Sequence, residues 1–116
     1  MRIVLMAIAL GAAVACAIAP LAAQTPTVAV VIDNFVFNPE RLTVKAGTTV
    51  IWTNRDDIPH TVVAKAREFK SKVMDTDESF SFTFPAPGEY SYFCSLHPHM
   101  TGTILVEAAT GGGATQ

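Results

Sequence analysis

The chain has 116 residues, half of them hydrophobic and 16% charged, with a formal net charge of −2 at neutral pH. That length bounds it to one small domain, and the hydrophobic share excludes a disordered chain. A weakly acidic balance also argues against a nucleic-acid partner, which requires a basic face.

The first 23 residues differ from the rest. Met1-Arg2 supplies one positive charge, Ile3 to Ala19 is an uncharged apolar run, and Pro20 breaks it before Leu21-Ala22-Ala23 and polar Gln24-Thr25-Pro26. A basic start, an apolar middle and a small-residue cleavage site read as an export signal over residues 1–23. Two alternatives stay open. One is a retained anchor, although the 17-residue run sits at the bottom of the length that spans a bilayer. The other is a lipoprotein tethered through Cys16, since Ala13-Val14-Ala15 places small residues before a cysteine. Cleavage after residue 23 leaves 93 residues with seven cationic and ten acidic side chains, a net charge of −3. It also leaves one cysteine, Cys94. Exported proteins pair their cysteines, so an odd one implies an intermolecular bridge, a reactive thiol or a metal ligand.

From residue 24 onward a period of two dominates and no long helical period occurs. Val28, Val30 and Ile32 mark a first strand, followed by Phe35-Val36-Phe37 and an Asn38-Pro39 turn. Leu42 to Lys45 and Thr48 to Thr53 are two strands joined at Ala46-Gly47, and His60 to Ala64 is another. Residues 65–77 are the least patterned; Lys65, Arg67, Lys70 and Lys72 make them basic before Asp75, Asp77 and Glu78. Ser79 to Phe84 alternates, with Phe80, Phe82 and Phe84 on one face. Pro85-Ala86-Pro87-Gly88 is a turn, because proline cannot continue a central ladder. Tyr90, Tyr92 and Cys94 share a face of the next strand, and Thr101 to Glu107 is the last. Residues 108–116, with three consecutive glycines, form an expected flexible tail. Seven or eight short strands separated by turns predict an all-β sandwich over residues 24–107.

Chemistry concentrates in Tyr92-Phe93-Cys94-Ser95-Leu96-His97-Pro98-His99-Met100. Thiolate, imidazole and thioether stand at Cys-x2-His-x2-Met spacing in a tight loop between two strands. A fourth donor must come from elsewhere, and His60 is the one histidine outside this loop. Pro59 before it restricts the local backbone. Taken singly, each of these residues has an ordinary structural role, and an isolated buried cysteine behaves as a small hydrophobe. Taken together, His60, Cys94, His97 and Met100 make the two-nitrogen, one-thiolate, weak-thioether set of a blue-copper electron-transfer site. Zinc also accepts two histidines and a cysteine, so metal availability enters the assignment.

At these residues the sequence resembles the cupredoxins, and within them the amicyanins. The resemblance runs from Asp33-Asn34-Phe35-Val36-Phe37-Asn38-Pro39 to Val106-Glu107. Its most specific parts are Trp52-Thr53-Asn54-Arg55 with Pro59-His60, and Gly88-Glu89-Tyr90-Ser91-Tyr92-Phe93-Cys94 leading into the ligand loop. It implies a Greek-key β-sandwich, one type 1 copper ion on His60, Cys94, His97 and Met100, and an Asn54 that ties the two ligand loops together. Leu96 stands where amicyanins carry proline, which restores a backbone N–H expected to face the Cys94 sulfur. His99 stands where they carry an apolar residue, in the patch by which such proteins meet partners.

The expected function is one-electron shuttling, by a monomer, between periplasmic redox proteins. The resemblance implies an amine-oxidising dehydrogenase on one side and a c-type cytochrome on the other. Docking is expected at residues 65–72 or around His97 to Met100. Copper carriage or delivery is the alternative reading. An enzyme acting alone is not expected, since only His99 remains as an imidazole donor after the site is filled.

Overall fold

The computed structural model describes residues 11–15 and 25–109. The expected export segment apart from 11–15, the Cys16 alternative and the tail from residue 110 lie outside the described residues. Eight strands follow in chain order: β1 (Thr27–Asp33), β2 (Val36–Asn38), β3 (Arg41–Lys45), β4 (Thr49–Asn54), β5 (Val63–Ala64), β6 (Ser79–Thr83), β7 (Gly88–Cys94) and β8 (His97–Glu107). They form two four-stranded sheets, ordered β2-β1-β4-β6 and β3-β8-β7-β5. Both sheets are mixed. β1 runs parallel to β4 and β3 parallel to β8, while the remaining pairs are antiparallel. The β-sandwich expected from the strand count is the architecture observed. Non-consecutive neighbours in each sheet record chain crossings from one layer to the other.

Alternation explains which face of each strand turns inward. Val30 and Ile32 of β1 lie beside Trp52 and Asn54 of β4, and all four are fully buried. Across the sandwich, Tyr92, Cys94, Met100, Ile104 and Val106 supply the facing layer. Trp52 sits at the centre, with ring centroids 5.4 Å from Tyr92, 5.6 Å from Phe69 and 5.7 Å from Phe80. Residues 65–77, unpatterned in sequence, are pinned at several points, Phe69, Ser71 and Met74 among them. Phe69 is buried against Phe82 and Phe84, and Ser71 is buried with its hydroxyl accepting the Val62 amide at 2.8 Å.

Two boundaries differ from the sequence reading, and both bear on the site. His60 to Ala64 is not a continuous strand. Only Val63 and Ala64 pair with β7, while His60 bridges to Met74, its N–H donating to the Met74 carbonyl at 3.1 Å and its carbonyl accepting at 2.8 Å. The last strand begins at His97 rather than Thr101, because Ser95 and Leu96 alone close the hairpin between Cys94 and His97.

Candidate metal centre

Two chain segments meet at one end of the sandwich. The first carries His60 and Thr61 between β4 and β5. The second is the hairpin from Cys94 to Met100. Its register slips between Phe93 and Cys94: Phe93 lies opposite Thr101, but Cys94 lies opposite His97. Pro98, His99 and Met100 therefore have no partner on β7. Such an irregularity bends a strand and re-aims its side chains. Met100 falls on the inward face with Gly102, Ile104 and Val106, and Cys94 ends the inward face of β7.

The donors converge. Cys94 Sγ lies 3.7 Å from His60 Nδ1 and 3.7 Å from His97 Nδ1. One ligand atom from each of the three residues falls within 4.8 Å of the others. Metal–nitrogen bonds of about 2.0–2.1 Å and metal–thiolate bonds of about 2.3 Å, opened at about 110–120°, put the donor atoms roughly 3.6–3.8 Å apart. The observed sulfur–nitrogen spacings fall in that range, so the residues fit a metal ion without rearrangement. His60 and Cys94 are fully buried, Met100 is 5% exposed, and His97 is half-buried at the surface. His99 points outward and takes no part in this cluster.

The surroundings hold His60 and Cys94 in place. Asp56 accepts the backbone N–H of Asn34 at 2.6 Å and of Phe35 at 2.9 Å, and meets His60 Nε2 at 2.7 Å. Burial acts to raise the Asp56 pKa, but the Phe35 amide, the His60 ring and the Asn34 amide together hold it below the usual carboxylate value. An ionised carboxylate only accepts, so Nε2 of His60 carries a proton toward it and Nδ1 is the ring nitrogen that faces Cys94. The same contact fixes the Asn34-Phe35 turn, in which both residues have positive φ, at 51° and 61°. That turn lays the Phe35 ring edge-on to both imidazoles, with centroids 5.5 Å from His60 and 5.0 Å from His97.

Thr61 serves the sulfur and the hairpin at once. Its backbone N–H donates to Cys94 Sγ at 3.3 Å and its hydroxyl lies 3.8 Å from the same atom. That hydroxyl also accepts the Ser95 amide at 2.8 Å and meets the Ser95 hydroxyl at 2.7 Å. Two expectations are corrected here. The amide that bonds the sulfur is that of Thr61; the Leu96 amide, in the two-residue turn, makes no hydrogen bond to it. Asn54 does not tie the ligand loops together either. Fully buried, it donates to the Ile58 and Met74 carbonyls at 2.9 and 3.0 Å and accepts the Asp56 amide at 2.9 Å. It thus orders only the His60 arm, and Thr61 with Ser95 makes the link between arms. The sequence reading missed Thr61, Asp56 and Phe35. For Asp56 and Thr61 nearness to His60 in the chain was the one available hint, and it carried no spacing rule; Phe35, 25 residues before His60, gave none.

A family model described as a cupredoxin-like domain matches residues 5–106. The chain belongs to the cupredoxin-like family. Amicyanin of Paracoccus versutus is 38% identical over 93 residues, covering 74% of this cupredoxin and 70% of that protein. Plastocyanin of Scenedesmus fuscus is 36% identical over 85 residues, covering 62% and 87%. Among solved structures, the Cu(I) form of an amicyanin mutant matches with a TM-score of 0.66 and 35% identity, covering 75% of this chain and 87% of that one. These similarities agree with the amicyanin resemblance and with plastocyanins as wider relatives.

Proposed function

We propose that this cupredoxin is a blue-copper electron carrier, with His60, Cys94, His97 and Met100 as the ligands of one copper ion. The observation that carries the reading is the convergence of His60 Nδ1 and His97 Nδ1 on Cys94 Sγ, each at 3.7 Å. Bound copper supplies one-electron redox chemistry by alternating between Cu(II) and Cu(I), and soft sulfur with imidazole accommodates both. The protein contributes rigidity. Asp56 sets the His60 tautomer, and Thr61 donates a hydrogen bond to the thiolate while tying its hairpin to the His60 arm. Donors already spaced for the metal have little to rearrange when an electron arrives or leaves. Phe35 packs against both imidazoles in edge-to-face contacts.

The reading extends to an exported protein: residues 1–23 act as the export signal, residues 24–107 form the domain, and a periplasmic monomer passes electrons between a dehydrogenase and a c-type cytochrome. Among the described residues no helix is long and apolar enough to cross a membrane. Copper-loaded protein should show intense visible absorption from thiolate-to-Cu(II) charge transfer, and Cys94→Ser should abolish it. A colourless copper complex of the unaltered protein would refute the assignment. Slow copper loss to a chelator with fast electron exchange distinguishes the carrier from the copper-delivery alternative.

A further inference from the structure

Each sheet ends in two strands whose outer sides have no strand partner among the described residues: β2 and β6 in one, β3 and β5 in the other. An open edge is a template for a further strand, and proteins blunt it with short length, charge or proline. β2 has three residues and runs into Pro39, and β5 has two. β3 has five but carries Arg41 and Lys45 at its ends, each ion-paired to a carboxylate. β6 also has five residues, Ser79-Phe80-Ser81-Phe82-Thr83, with neither charge nor proline among them. It is the one edge of the described sheets left unprotected.

The backbone of β6 is already turned for pairing. At its two ends the Asn54 amide donates to the Glu78 carbonyl and the Phe84 amide to the Thr48 carbonyl, both at 3.0 Å. Bonded pairs recur at every second position of an antiparallel ladder, and the register from Thr49 opposite Thr83 to Thr53 opposite Ser79 is unbroken. Phe80 and Phe82 therefore bond to β4, and the N–H and C=O groups of Ser79, Ser81 and Thr83 point out of the open edge. Among the described residues none of those groups has a hydrogen-bond partner, and all three side chains are exposed. The neighbouring segment leaves the start of the edge open: a hollow of about 340 Å³, lined by Lys70, Lys72, Val73 and Met74, lies beside Ser79 and Phe80.

We propose that β6 pairs edge to edge with β6 of a second copy of this chain, joining two four-stranded sheets into one. A two-fold contact requires one patch to serve both sides, and these five residues do so. An axis through Ser81 sets Ser81 against Ser81, Ser79 against Thr83 and Phe80 against Phe82 of an antiparallel copy. Hydroxyls meet hydroxyls and half-buried rings meet half-buried rings, which are favourable cross-strand pairs. In a chain of net negative charge, an uncharged edge is where two copies approach with least repulsion. Five residues of edge bury well under the roughly 800 Å² per partner of a stable interface, so the pairing is reversible and the single chain persists in dilute solution. β6 starts beside Asn54 and ends beside Gly47, whose amide donates to the Phe84 carbonyl at 2.7 Å. Antiparallel pairing therefore places the two candidate metal centres at opposite ends and leaves the exposed edge of each His97 open. The contact does not depend on the metal.

Sedimentation equilibrium of the copper-loaded protein tests this, from roughly 10 µM to roughly 1 mM, the span in which small transient contacts form. The average mass should rise with concentration from that of one chain toward twice it. Ser81→Lys puts like charges face to face on the two-fold axis and should weaken association about tenfold or more. Thr43→Lys adds the same charge to the exposed face of the β3 edge and should leave association unchanged. Unfolding midpoints of both variants should stay close to that of the unaltered protein, since both side chains are exposed. Amide shifts on concentrating the unaltered protein should gather at Ser79, Ser81 and Thr83. A single-chain mass at the highest concentration would overturn the proposal. Equal losses in the two variants, or shifts centred on Leu96 and His97, would do the same.

Discussion

The Thr61 hydroxyl accepts the Ser95 backbone N–H at 2.8 Å, joining two segments that are 34 residues apart in the chain. Thr61 therefore couples the arm that carries His60 to the hairpin that carries Cys94 and His97. Thr61→Val keeps the shape and the amide that faces the sulfur but removes this acceptor. The expected loss of stability is about 1 kcal/mol, the net worth of a typical hydrogen bond. Copper release to a chelator should also quicken. Denaturant midpoints and chelator kinetics on the same variant check both.

Asp56 tests the tautomer argument. Asp56→Asn keeps the size and some hydrogen bonding but removes the negative charge beside His60. A less basic imidazole favours Cu(II) less, so the reduction potential should rise. Cu(II) affinity should fall by roughly 10–100-fold, the usual cost of losing an outer partner of a ligand. Voltammetry and competition for Cu(II) measure the two effects, and a lowered potential would contradict the argument.

Tyr92 gives a pH dependence with a definite sign. Burial pushes its pKa up to about 12; the Trp52 indole acts to lower it and the Glu40 charge adds to the rise. The folded state thus favours the neutral phenol. This contribution is complete below the unfolded value near pH 10 and is lost as pH rises toward about 12. Two units correspond to about 2–3 kcal/mol. Tyr92→Phe should flatten the fall in stability across that window, read from unfolding midpoints at successive pH values.

Gly102 faces Tyr92 across the β7–β8 pair. A methyl group at 102 would overlap the Tyr92 ring, which is fully buried and has nowhere to retreat. Gly102→Ala should destabilise by roughly 1–3 kcal/mol, the range for overpacking a filled core. Tyr92→Phe does not relieve the clash with the ring carbons, so the double variant should recover little of the loss.

Much of the fold was legible in the chain because a half-buried strand writes its two faces in alternate residues. Val28, Val30 and Ile32, or Tyr92 and Cys94, declare their inward side without reference to any partner. The strand beginning at His97 was not legible. Pro98 and His99 read as loop residues, and only the pairing of Cys94 with His97 shows that a two-residue turn suffices. Phe69 was hidden for a similar reason: one aromatic in a charged stretch has no period, and its burial is decided by the cluster it meets.

The sequence by itself determined the donor types and the local order of three of them, since Cys94, His97 and Met100 lie within seven residues and their reach is limited by chain geometry. The tertiary structure alone decided what surrounds them. Asp56 on His60, Thr61 on Cys94 and Ser95, and Phe35 across both imidazoles are contacts between segments 21 or more residues apart or at a turn with no periodic signature. Their positions depend on how two sheets cross and where a register slips, and no spacing rule along one chain encodes that.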